Sequence, residues 1–136
     1  MAALPVKILI IEDEPDVRIY LTNLLHSHGY EVMAVDGIED GLTFIQKQHP
    51  ALVVLDAMLP GDDARRFYMD LRAKNDVCRI PVVILSTLSR RALWGSRFYR
   101  VGGAHRRLAG PDAFLTKPPE AEDFLDVVQR LTKSAL

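Results

Sequence analysis

Five strand-length apolar runs recur along this chain, at residues 6–11, 30–35, 51–55, 81–85 and 113–116, and helix-patterned stretches separate them. Val17, Leu21, Leu24 and Leu25 repeat at i, i+4, i+7 and i+8, with Pro15 suited to a first helical turn and Gly29 to a stop. Ile38, Leu42 and Ile45 mark a short helix closed by His49-Pro50. Asp62 or Asp63 is expected to cap a helix whose apolar side is Phe67, Tyr68 and Leu71. A last helix, about residues 119–133, turns Phe124, Leu125, Val128 and Leu131 inward, with acids in its first turn. Strands that are apolar nearly throughout belong to parallel sheets covered on both faces. Right-handed crossovers then give a doubly wound, flavodoxin-like α/β fold. The expected architecture is five parallel strands in the order 2-1-3-4-5, because the first and third runs are the most apolar. The second reads as an edge strand.

With 136 residues, the chain is expected to form one domain with a core that needs no staples. The single cysteine, Cys78, excludes an internal disulfide and reads as a buried filler. No Cys/His spacing suggests zinc. No apolar run is long enough to span a membrane, and no secretory leader is evident, so a cytoplasmic location is expected. Charge is segregated. Residues 77–110 carry seven arginines and no Asp or Glu, whereas the rest of the chain carries ten basic and eighteen acidic side chains. Such segregation bears on partners, not on fold.

The strand ends carry the chemistry. The first run ends in Glu12-Asp13, the third in Asp56, the fourth in Ser86-Thr87 and the last in Lys117-Pro118. Open α/β sheets bind ligands beyond the carboxyl ends of their strands. If the first and third strands are neighbours, Asp13 and Asp56 converge on one point. A hard cation such as Mg²⁺ takes oxygen ligands and retains water. The expected set is Asp13, Asp56, the backbone carbonyl of Met58, and Glu12 acting through a water. An aspartate relieved of repulsion in this way can attack phosphorus. Lys117 would pair with one phosphoryl oxygen, and Ser86 would hydrogen-bond another.

These residues, in this order, resemble the receiver domain of bacterial two-component response regulators along nearly the whole chain. The resemblance rests on Ile11-Glu12-Asp13-Glu14, Leu55-Asp56-Ala57-Met58-Leu59-Pro60-Gly61, Ile80-Pro81-Val82-Val83-Ile84-Leu85-Ser86 and Phe114-Leu115-Thr116-Lys117-Pro118. It implies that Asp56 accepts phosphate from a histidine kinase or histidine phosphotransfer protein, with Mg²⁺ required. It also implies that Ser86 and Phe114 stand at a hydroxyl and an aromatic switch position, reshaping the face made by the fourth helix, fifth strand and fifth helix. The Lys117-Pro118 bond is cis in that family. A dedicated enzyme is not expected.

Three departures stand out. Asp56 to Ser86 spans 30 residues, as the resemblance implies, but Ser86 to Lys117 spans 31, which is longer. The surplus falls in the Arg- and Gly-rich segment 88–111, within which a helix from about 90 to 101 is weakened by Gly95. Thr87 and Ala64 replace smaller residues, and Phe114 lacks the hydroxyl of a tyrosine. Ser86 is preferred to Thr87 as the switch hydroxyl by spacing, and Phe114 is equally readable as core. The arginine segment, with Trp94, Phe98 and Tyr99 interleaved, reads either as a solvated basic face or as a surface for an output protein. Direct nucleic-acid binding is not expected, because no DNA-reading motif is present. The alternative function is a degenerate receiver that binds a partner without phosphorylation. A strand-end-aspartate phosphatase would need a second acid where Met58 stands, and a flavin-type cofactor phosphate would be repelled by Glu12-Asp13-Glu14.

Overall fold

The computed structural model describes residues 4–94 and 111–133. Along the chain these form β1 (Lys7–Ile11), α1 (Pro15–Ser27), β2 (Glu31–Val35), α2 (Ile38–Gln48), β3 (Leu52–Asp56), α3 (Asp63–Ala73), β4 (Val82–Ser86), α4 (Arg90–Trp94), β5 (Ala113–Thr116) and α5 (Ala121–Thr132). The five strands make one parallel sheet in the order β2-β1-β3-β4-β5, as the sequence pattern predicts. β3 and β4 are buried at every residue, whereas β2 at the edge is only partly covered.

Alternation along β1 divides the core in two. Leu9 and Ile11 join Val53, Leu55, Phe67, Tyr68, Leu71 and Ile84 under α2 and α3. Ile8 and Ile10 join Leu21, Leu25, Val54, Leu85, Phe124 and Val128 under α1 and α5. Each fully buried side chain of this size contributes roughly 1.5–3 kcal/mol relative to exposure. Gly41 of α2 allows the helix to sit close on the sheet, because a Cβ there would lie 2.6 Å from Ile11 Cδ1. α2 ends as expected at His49, which takes the left-handed conformation (φ 47°) and donates its N–H to Ile45 O.

Two local expectations fail. Asp62 does precede α3, but its side chain makes no capping bond; it sits 3.5 Å from Arg65 Nη1 instead. Cys78 is only partly buried, and its thiol lies 3.7 Å from the Asn75 carbonyl in the α3–β4 turn. Of the expected helix over 90–101, α4 covers Arg90–Trp94; the remainder of that stretch lies outside the described residues.

Candidate functional site

Register decides what meets at the carboxyl end of the sheet. Ile11 pairs with Leu55, so Glu12 leaves β1 beside Asp56, the last residue of β3. Asp56 pairs with Leu85, and Ser86 pairs with Thr116, which brings Lys117 to the same rim. The Lys117 N–H donates to Ser86 O at 2.9 Å, and the Lys117-Pro118 bond is cis. The structure therefore gathers Glu12, Asp13, Asp56, Ser86 and Lys117 at one rim, as their placement in the sequence predicts.

Burial makes this rim chemically unusual. Glu12 and Asp56 are both wholly inaccessible, and the Lys117 side chain is 2% exposed. Lys117 Nζ lies 2.8 Å from Glu12 Oε1, 2.7 Å from Glu14 Oε1 and 3.3 Å from Asp56 Oδ2. Asp56 Oδ1 accepts the Met58 N–H at 2.7 Å, which fixes the carboxylate plane. Asp56 Oδ2 and Glu12 Oε1 face the ammonium as ion-pair contacts but take part in no directed hydrogen bond. Burial, reinforced by the Glu12 carboxyl, pushes the Asp56 pKa up to about 6. Asp13 is raised too, first by desolvation and then by Asp56. At Lys117 burial works against the charge, yet the contacts with Glu12 and Glu14 win and hold the ammonium above the ordinary lysine range.

One carboxylate oxygen from each of Glu12, Asp13 and Asp56 lies within 4.8 Å of the others. Several carboxylates around a single ammonium leave an excess of negative charge and two buried oxygens without a directed donor. A hard divalent cation answers both deficits.

The two switch candidates are engaged. Ser86 is buried; its Oγ–H points to the Met58 sulfur at 3.5 Å and its Oγ accepts the Leu88 N–H at 2.9 Å. Thr87 donates to the same sulfur at 3.2 Å. Phe114 packs against the α2/α3 core, with Arg90 of α4 over its ring at 5.5 Å. Core packing and a position beside α4 thus coincide in one residue.

Sequence reasoning passed over three participants. Glu14 supplies the shortest contact to Lys117, and the acidic run Glu12-Asp13-Glu14 was the available signal. Arg18 donates to the Glu12 carbonyl at 2.8 Å, one helical turn beyond Glu14. Met58, weighed for its carbonyl and as the place where a phosphatase would carry a second acid, lays its sulfur against both hydroxyls; nothing in the sequence signals that contact.

Comparison with known proteins places the chain in a family. Residues 8–129 match the response regulator receiver domain family. The protein PilH of Pseudomonas aeruginosa is 27% identical over 124 residues, with 90% of this chain and 93% of PilH covered. The DNA-binding dual master transcriptional regulator RpaA of Synechocystis is 34% identical over 93% of this chain, which spans 49% of that regulator's length. Among solved structures, the receiver domain of a signal transduction histidine kinase from Syntrophus aciditrophicus superposes with a TM-score of 0.77 at 27% identity, covering 95% of this chain and 91% of that one. The receiver domain of the Pseudomonas aeruginosa sensor histidine kinase PA1611, solved with a magnesium ion in its active-site cleft, shares the fold (TM-score 0.76, 24% identity, 96% and 99% covered). This chain belongs to the response regulator receiver family of two-component systems.

Proposed function

We propose that the chain acts as one receiver domain in which Asp56 accepts a phosphoryl group from a histidine kinase or histidine phosphotransfer protein. The observation that carries this reading is the state of Asp56 Oδ2. It is buried, has no directed hydrogen bond, and faces Lys117 across 3.3 Å. With Oδ1 held by the Met58 amide, Oδ2 is the oxygen left to attack. It would form a bond to phosphorus as the P–N bond of the phosphohistidine breaks and the imidazole leaves. Lys117 would follow the developing charge on the phosphoryl oxygens. Glu12, Asp13, Asp56 and the Met58 carbonyl are the residues that would hold Mg²⁺, which when bound offsets the charge of the carboxylates and the phosphoryl group. Ser86 would give its hydroxyl to a phosphoryl oxygen, and Phe114 would follow through its packing beside α4.

Signalling to an output protein would leave by α4, β5, α5 and the arginine-rich residues 88–111, of which 88–94 and 111 are described. That surface would suit an acidic protein partner in the cytoplasm. Among the described residues, no helix is long and apolar enough to cross a membrane.

Incubation with a small-molecule phosphodonor and Mg²⁺ is expected to add one phosphoryl group to the intact mass. Asp56→Asn is expected to add none. An unmodified wild-type mass under these conditions would favour instead a receiver that binds its partner without phosphorylation.

A further inference from the structure

Glu14 immediately follows the acidic pair, and the metal and phosphoryl roles assigned above leave it unused. We propose that Glu14 is a positioning residue that competes with the phosphoryl group for Lys117, setting how tightly the site holds a phosphorylated Asp56. This rests on the receiver reading given above.

An ammonium has three N–H donors. Those of Lys117 face three carboxylates: Glu12 at 2.8 Å, Glu14 at 2.7 Å and Asp56 at 3.3 Å. With its side chain 2% exposed, Lys117 cannot recruit water freely when a partner leaves. A phosphoryl group on Asp56 brings new anionic oxygens, so an existing contact has to give way to them. Transfer itself releases the Asp56 contact, because Oδ2 becomes the bridging oxygen of an acyl phosphate and loses its charge. Any further donor must come from Glu12 or Glu14. Glu12 is wholly buried, its backbone carbonyl is held by Arg18, and its Oε2 lies 3.4 Å from the Glu14 N–H. The Glu14 side chain is 57% exposed, so water can solvate it as it departs. Glu14 is thus both the shortest contact and the one that leaves most cheaply.

Its charge acts in two opposite senses. Until it is displaced, Glu14 neutralises the ammonium and adds negative potential at the rim, and both effects oppose a phosphoryl anion. The same negative potential favours a divalent cation. Removing the charge should therefore tighten the site toward a phosphoryl group and loosen it toward Mg²⁺. General loosening of the fold would weaken both.

The test compares wild type with Glu14→Gln, using beryllofluoride at saturating Mg²⁺ as the phosphoryl mimic, read by fluorine NMR, and Mg²⁺ alone, read by calorimetry. Glu14→Gln is expected to bind beryllofluoride roughly three- to tenfold more tightly and Mg²⁺ more weakly, as suits one half-exposed ion pair. Glu14→Asp, which retains the charge, is expected to restore Mg²⁺ affinity toward wild type. Equal or weaker beryllofluoride binding in Glu14→Gln, or a parallel loss of both ligands, overturns the role of Glu14. A wild-type protein that binds no beryllofluoride and takes no phosphate from a small donor overturns the receiver reading itself.

Discussion

Asp56 is held in a state that costs the fold something. Its carboxyl is inaccessible to solvent, and burial raises its pKa from the usual carboxylate value to about 6. A group whose folded pKa is raised binds its proton more readily in the native than in the unfolded state. For an acid the sign is then fixed: the native state gains relative stability as pH falls from about 6 toward 4, and carries the full penalty above 6. Asp56→Asn removes the ionisation but keeps the shape. In the presence of a chelator it is expected to be more stable than wild type at pH 8, by about 1–3 kcal/mol, with the gain shrinking as pH approaches 4. Urea unfolding at the two pH values checks this, and a pH-independent difference would refute it. The same penalty is what a bound cation or a phosphoryl group would relieve, so instability here and the proposed reactivity would share one cause.

Among the elements, the far end of the sheet is pinned by a side chain that has nothing to do with phosphate. Arg72, in the last turn of α3, donates to the Cys78 and Ile80 carbonyls at 3.0 and 2.7 Å and to Asp112 Oδ2 at 3.0 Å. Its guanidinium also lies over the Tyr68 ring at 5.0 Å. Asp112 in turn accepts the Val82 N–H at 2.8 Å, so one cation ties α3 to the starts of β4 and β5. Arg72→Ala is expected to cost about 2–4 kcal/mol in chemical denaturation, because it leaves two carbonyls and a carboxylate short of a donor. Phosphorylation by a small donor should survive in the fraction that remains folded. A change below ~0.5 kcal/mol, as for an ordinary surface arginine, would refute the clamp. None of this was legible in the sequence, where Arg72 is one basic residue among many. What was legible followed from periodicity. The unbroken apolar runs at 51–55 and 81–85 signalled strands covered on both faces, and the partial alternation at 30–35 signalled an edge. The strand-end acids and Lys117 were legible because a parallel sheet collects its carboxyl ends on one side. Side-chain pairing was not. Asp62 stands where a cap would, yet pairs with Arg65, and Glu14 reached Lys117 across 103 residues of chain separation.

At the scale of the molecule, the candidate site and the Arg72 anchorage occupy opposite ends of the sheet. The acidic rim lies beyond the carboxyl ends of β1 and β3, while the Arg72–Asp112 clamp secures the amino ends of β4 and β5. The chain spans nearly all of PilH but only about half of RpaA, so the same unit serves in relatives of very different length. At the acidic rim, the bond from the Leu88 amide to Ser86 Oγ has a consequence for communication. That oxygen is the acceptor for the backbone leading into α4, while its proton rests on a thioether, a weak acceptor that releases it at little cost. If the hydroxyl turns toward a phosphoryl oxygen, the Leu88 amide loses its partner and the backbone ahead of Arg90 must find another. Amide hydrogen exchange at Leu88 is therefore expected to quicken when a small phosphodonor and Mg²⁺ are added, and to be fast from the outset in Ser86→Ala. Unchanged protection in the phosphorylated protein would show that the site and α4 are not joined through this bond. Quickened exchange would make a single serine oxygen the point at which chemistry at the rim is converted into a loosened stretch of chain.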